Sequence, residues 1–126
     1  MIRPVVWPAV VLTLGLVMLA SCGGTKADAY GESKAVTING ASVTVRMKNL
    51  QFSPKGIKVR PGTTVTWVNE DVAVHNVRQV ESTFLSPDAM QSDESFSFTF
   101  DRPGTYRYQC TFHHPTMNGV VIVEGP

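Results

Sequence analysis

Within ten residues, Tyr108 to Met117, the chain places a thiol, two imidazoles and a thioether: Cys110, His113, His114 and Met117. These are soft or borderline donors, and as a set they suit copper better than calcium or magnesium. The chain has three histidines in all, and the third, His75, lies far upstream. A strand ending at Cys110 and a loop turning back would aim His113 and Met117 at one centre. His75, arriving on a separate segment, would complete a set of two imidazoles, one thiolate and a weak axial thioether, which is the donor set of a blue-copper site.

Other metals fit the donors less well. Structural zinc prefers strong tetrahedral ligands, usually several cysteines, and does not use methionine. Iron–sulfur clusters need more cysteines than the two present, Cys22 and Cys110. A lone cysteine is often just a small buried apolar residue, but here two of the three histidines and a methionine follow it closely. The run Asp101-x-x-Gly104-x-Tyr106-x-Tyr108-x-Cys110 also resembles an immunoglobulin strand, with Trp67 as its core tryptophan. That reading needs a partner cysteine near the start of the domain, and the positions expected to hold it carry none. Met90 reads as loop or core filler.

The elements that must position these donors read as β. Val43, Val45 and Met47 alternate with polar residues, as do Ile57 and Val59. Pro61-Gly62 turns the chain into a β-branched strand around Trp67, and Asn69-Glu70-Asp71 is turn chemistry. Val74 to Val80 reads as a strand carrying His75 near its start. Phe96, Phe98 and Phe100 share one strand face, Tyr106, Tyr108 and Cys110 share another, and Val120 to Val123 closes the chain. Residues 81–94 are polar and irregular, expected to form a loop or a single helical turn. Short strands separated by turns predict an all-β antiparallel sandwich.

The chain of 126 residues is long enough for one small domain. Residues 1–21 read as an export signal: Arg3 in a short positive region, then an apolar run from Val5 to Leu19 that contains Pro8 and is short for a membrane span. Leu19-Ala20-Ser21-Cys22 resembles a lipobox, in which Cys22 would become the lipidated first residue of the mature protein. Residues 22–35, made largely of small and polar residues such as Gly, Ala and Lys with few apolar side chains, read as a flexible tether, and 36–126 as the folded domain. Loss of Arg3 with the signal takes the formal net charge from +1 to zero. No basic excess points to nucleic acid, and no polybasic patch points to a membrane surface. A lipidated Cys22 leaves Cys110 as a lone thiol in an oxidising compartment, where coordination to a metal would protect it.

From Val43 to Val123 the chain resembles a plastocyanin- or amicyanin-type cupredoxin. The matching pieces are Phe52-Ser53-Pro54, Val59-x-Pro61-Gly62, Val65-x-Trp67-x-Asn69, His75-Asn76-Val77, Phe98 to Tyr108 and Cys110-x-x-His113…Met117-x-Gly119. The resemblance implies a Greek-key sandwich of about seven or eight strands, one type 1 copper cycling between Cu(I) and Cu(II), and one-electron transfer. His75, Cys110, His113 and Met117 fall on the four ligand positions. Asn76 falls on a residue that tethers the His75 segment to the Cys110 loop by hydrogen bonds.

The loop departs from the common spacings. Plastocyanins place four residues between His and Met and amicyanins two, whereas His113 and Met117 have three between them. His113 keeps the Cys-x-x-His half of the motif and is preferred. His114 is the alternative, with the amicyanin spacing to Met117 but one residue too many after Cys110.

The resemblance also implies an apolar patch around His113, formed by Phe112, Pro115 and Phe84, for small, transient contacts with redox partners. The expected protein is thus a monomeric electron carrier, tethered by lipid on the extracytoplasmic side of a membrane. The alternative is a copper-trafficking protein with no redox role, although no Met-rich or His-rich tract supports it. An oxidase or reductase would need a second centre or domain, for which this chain holds no spare ligands.

Overall fold

A computed structural model describes residues 28–126; the proposed signal, Cys22 and the tether up to residue 27 lie outside the described residues. Nine strands follow in order: β1 (Val36–Thr37), β2 (Ser42–Lys48), β3 (Gln51–Ser53), β4 (Gly56–Val59), β5 (Thr63–Asn69), β6 (Arg78–Gln79), β7 (Ser95–Phe100), β8 (Gly104–Gln109) and β9 (Asn118–Val123). They form two sheets, ordered β1-β4-β9-β8-β6 and β3-β2-β5-β7. The fold is the all-β sandwich expected, with nine strands among the described residues where about seven or eight are expected.

The expectation of a purely antiparallel sandwich needs correction. β1 with β4, β2 with β5, and β4 with β9 run parallel. Alternation of apolar and polar residues fixes which face a strand buries but is indifferent to the direction of its neighbour.

Each sheet has one apolar face, and the two faces meet. In β5, Val65, Trp67 and Asn69 are fully buried while Thr64, Thr66 and Val68 turn outward. On the outer face Thr64 pairs with Thr99 (2.8 Å) and Thr66 with Ser97 (2.7 Å) through their hydroxyls. Trp67 sits at the centre of the core, stacked against Phe84 and Phe96, with Phe100 and Tyr108 edge-on. Such aromatic pairs add about 0.5–1.5 kcal/mol each beyond their burial. Tyr108 also takes Phe52 edge-on at 4.8 Å. Burial pushes the Tyr108 phenol well above its ordinary pKa, although the Trp67 indole opposes this slightly.

Gly119 is required by this packing. A Cβ there would lie 2.6 Å from the Tyr108 hydroxyl and 2.7 Å from the Lys55 carbonyl.

The expected strand over Val74–Val80 is reduced to β6 at Arg78–Gln79. His75, Asn76 and Val77 are buried in succession, which a two-residue alternation cannot do. The backbone bends here, and His75 makes an isolated bridge to Met90 (3.2 and 2.8 Å). Residues 81–94 hold no helical turn; bridges and side-chain bonds order them instead, such as Val77 N–H to Ser86 Oγ at 2.8 Å. Before β1, a single 3-10 turn at Glu32–Lys34 packs near β4, and Glu32 accepts a hydrogen bond from Arg107 at 2.6 Å. No helix among the described residues is long and apolar enough to cross a membrane.

Candidate metal centre

At one end of the sandwich three loops converge: the segment after β5, the segment after β6 and the loop between β8 and β9. Cys110 follows directly on β8 and is fully buried, with no disulfide partner. The loop then closes on itself. The His113 carbonyl accepts from the N–H groups of Thr116 (3.1 Å) and Met117 (3.0 Å), and the Cys110 N–H donates to the Met117 carbonyl at 3.0 Å. This helix-like turn takes up the three residues between His113 and Met117. It returns the fully buried Met117 to a place opposite Cys110.

His75, Cys110 and His113 bring their donor atoms together. His75 Nδ1 lies 3.2 Å from His113 Nδ1 and 3.7 Å from Cys110 Sγ, and His113 Nδ1 lies 3.6 Å from the same sulfur. The centre of a triangle with sides of about 3.5 Å is about 2.0 Å from each corner, close to metal–imidazole bonds of about 2.0–2.1 Å and somewhat inside metal–thiolate bonds of about 2.3 Å. The three atoms are therefore spaced to hold one ion of copper's size, and the soft sulfur suits copper. Among the described residues this is the one cluster of its kind. His114, the neighbour, is exposed and stands outside it.

The two imidazoles are held differently. His75 is fully buried, and its Nε2–H donates to Asp71 Oδ2 at 2.8 Å. A carboxylate on Nε2 fixes the proton there and leaves the Nδ1 lone pair facing the other donors. Asp71 in turn accepts from the N–H groups of Asn49 (2.7 Å) and Leu50 (3.0 Å). Burial pulls the Asp71 carboxyl up, but the Leu50 N–H, the His75 ring and the Asn49 N–H outweigh it and hold it below the ordinary carboxylate value. His113 is half-buried, and its ring meets that of His75 edge-on at 4.9 Å.

Asn76 joins the segment that carries His75 to the loop that follows Cys110. Its Oδ1 accepts from the Thr111 N–H (2.8 Å), and its Nδ2 donates to Thr111 Oγ1 (2.8 Å) and to the Asp88 carbonyl (3.2 Å). Asn69, fully buried, donates to the Ala73 and Met90 carbonyls, both at 2.9 Å, and accepts from the Asp71 N–H at 2.9 Å.

Sequence reasoning missed Asp71 and the clasp at Asn69. The one available signal was an acid four residues before His75, which reads equally well as turn chemistry. Phe84 requires a correction. The resemblance places it in a surface patch near His113, but it is 3% exposed and stacked on Trp67 at 5.4 Å, where its ring also packs against Phe98 and Phe100. Leu85 beside it is exposed instead. Phe112 is 50% exposed and Pro115 is exposed, so both flank His113 at the surface. Met90 is fully buried in the core.

Comparison with known proteins gives a consistent result. The model for copper binding proteins of the plastocyanin/azurin family matches residues 39–124. An amicyanin-alpha from Methylorubrum extorquens is 34% identical over 111 residues, covering 84% of this chain and 92% of the relative. An amicyanin from Paracoccus denitrificans is 33% identical over 122 residues, covering 88% and 92%. Among solved structures, a mutant amicyanin in its Cu(I) form superposes with a TM-score of 0.61 at 34% identity, covering 67% of this chain and 83% of that one. A copper-containing nitrite reductase from Thermus scotoductus gives 0.62 at 30% identity, and 75% of this chain spans only 26% of that enzyme.

Proposed function

The chain belongs to the plastocyanin/azurin family of copper-binding proteins and is a type 1 copper electron carrier, and from that premise we propose that His75, Cys110, His113 and Met117 hold its copper. The observation that carries the assignment is the convergence of His75 Nδ1, Cys110 Sγ and His113 Nδ1 within 4.8 Å of one another. Copper in such a site supplies a one-electron Cu(I)/Cu(II) couple.

The protein's own residues do the rest. Asp71 fixes the tautomer and orientation of His75. Asn76 ties the Cys110 loop to the His75 segment, and the bonds within residues 110–117 keep Met117 opposite Cys110. A frame held on all sides resists rearrangement when the charge at the centre changes, and this favours fast exchange. Water is excluded from the His75 side by the core. On the His113 side the half-buried ring, with Phe112 and Pro115 around it, forms the face through which electrons enter and leave. A small apolar face suits brief encounters with redox partners.

In this reading the chain acts as a carrier and not as an enzyme. Its likeness to the nitrite reductase covers about a quarter of that protein, and the chain offers one metal cluster among its described residues. The relatives do not favour copper trafficking. Export and a lipid on Cys22 complete the proposal, supported by the apolar run of residues 5–19 and the Leu19-Ala20-Ser21-Cys22 string. Cys22→Ala is expected to move the protein from the membrane fraction to the soluble fraction.

The test of the site is the visible spectrum of the Cu(II) protein. An intense thiolate-to-copper band is expected in the wild type and lost in Cys110→Ser. Loss in His113→Ala with retention in His114→Ala supports the ligand assignment. A colourless wild-type Cu(II) protein overturns the proposal.

A further inference from the structure

We propose that the surface turn between β2 and β3, Asn49–Leu50, is a positioning element of the copper centre, acting through Asp71 on His75. The inference rests on the reading of His75 as a ligand and adds to it the β2–β3 turn, which lies in the same sheet as the β5 strand that leads into Asp71 and His75.

Both turn residues have positive φ, 53° at Asn49 and 58° at Leu50. Two consecutive left-handed residues linking antiparallel strands make the tight hairpin turn that favours Asn-Gly. A leucine in the second position is unusual, because its Cβ crowds the backbone there at a cost of about 1–2 kcal/mol. Burial does not explain this conformation, since Leu50 is 46% exposed. Hydrogen bonding does. The conformation points two successive N–H groups the same way, forming a concavity that holds an anion, and the anion is the Asp71 carboxylate. Asn49 N–H takes Oδ1 at 2.7 Å and Leu50 N–H takes Oδ2 at 3.0 Å.

The same Oδ2 accepts the His75 Nε2–H at 2.8 Å. The carboxylate is thus gripped from one side by the turn and grips the imidazole on the other. Its own backbone is pinned by the Asp71 N–H to Asn69 Oδ1 at 2.9 Å, so it cannot follow a ring that swings away. Without the turn the carboxylate could rotate about its side-chain bonds, and the Nδ1 lone pair would no longer be aimed at Cys110 and His113. The turn is 25 or more residues from His75 in sequence, and it reaches the centre through one side chain.

The decisive test removes a turn donor and keeps the side chain. In the full chain, Leu50 is replaced by its α-hydroxy acid, so that an ester oxygen stands where the N–H was; a second protein carries the same change at Asn49. Cu(II) affinity is measured by chelator competition, and exchange of the His75 Nε2 proton is measured by NMR in the metal-free protein. Asp71→Asn is expected to lower affinity by about 10–100-fold, and each ester by about tenfold, with faster proton exchange in all three. Thr64→Ala, which removes a hydrogen bond (2.8 Å, to Thr99) on the outer face of the sandwich, controls for a general loss of stability and is expected to keep affinity within about twofold. Wild-type affinity and proton exchange in both esters would overturn the role of the turn. A blue band retained in His75→Ala would instead overturn the ligand reading on which it rests.

Discussion

The two histidines of the centre sit in opposite surroundings. His75 is fully buried, bonded to a carboxylate that is itself bonded to a turn, and backed by Asn69 and the bridge to Met90. His113 is half-buried, in a loop closed mainly by its own backbone, with exposed Phe112, His114 and Pro115 around it. One side of the centre is built into the core, and the other is presented to the surroundings. An electron carrier needs both properties. A rigid side keeps the geometry unchanged between oxidation states, and an open side gives the electron a short exit. The difference teaches that the same residue type can be locked into the core on one side of a cluster and left at the surface on the other.

The contrast can be broken most forcefully at the buried side. In the metal-free protein, His75→Ala leaves a cavity in the core and deprives Asp71 of a partner. The expected cost is about 2–4 kcal/mol, by large-to-small core substitution and loss of a hydrogen bond to a charged group. His113→Ala, at a half-exposed site, is expected to cost less than about 1 kcal/mol. Denaturant unfolding of the two metal-free variants measures both. Equal costs would mean that the two sides are not differently built.

Asn69→Ala comes next. It removes three hydrogen bonds from a fully buried side chain and leaves the Ala73 and Met90 carbonyls without that donor, at an expected cost of about 2–3 kcal/mol. The loss should appear as faster amide exchange around His75 and leave residues 113–117 little changed. Asn76→Ala, with an expected cost of about 1–2 kcal/mol, should act on both sides together because it links them. Exchange at the Thr111 amide is then expected to rise. Protection at Thr111 unchanged from wild type would show that the link is not what holds the loop.

Accessibility offers a sharper probe. His113→Gly opens a space that reaches solvent, so added imidazole is expected to enter it and restore the visible band. His75→Gly opens a space sealed by the core, and imidazole is expected to restore little or nothing. Restoration in both variants would contradict the enclosure of His75.

How much of this was legible in the sequence follows from where each feature's information lies. Cys110, His113 and Met117 are rare donors packed into eight residues, and His75 was the only histidine outside that run, so the cluster could be read from composition and spacing. The burial faces of β2, β5 and β8 were legible too, because alternation in sequence is alternation in space. Asp71 was not. An acid in a polar turn is ordinary, and its role is visible only when Asn49 and Leu50 arrive from the β2–β3 hairpin. Strand direction was also hidden, as was the shrinkage of the strand through Val74–Val80, where three consecutive residues are buried by contacts from Met90, Ser86 and the loop after Cys110. Phe84 shows the same limit from the other side: an aromatic in an irregular segment can serve core or surface, and only the position of Trp67 decides.

The smallest expected effect is at His114, and it tests the open side most closely. His114 is chemically identical to its neighbour and one residue nearer to Met117, so donor type and loop spacing leave the two in competition. The loop settles which ring faces inward. With the His113 carbonyl capturing the N–H groups of Thr116 and Met117, residue 113 begins the turn, and residues 114–116 form its exposed outer bend. A ring at 114 would have to cross that bend to reach Cys110, which would break the bonds that return Met117. His114→Ala is therefore expected to leave the visible band in place and to change stability by less than about 0.5 kcal/mol. Its effect should lie in encounter with a partner, since it removes an exposed polar ring beside Phe112 and Pro115. Stopped-flow electron exchange with a redox partner is expected to show a changed second-order rate with an unchanged spectrum. A shifted band would mean that His114 exchanges with His113, and that the open side is mobile enough to offer either ring.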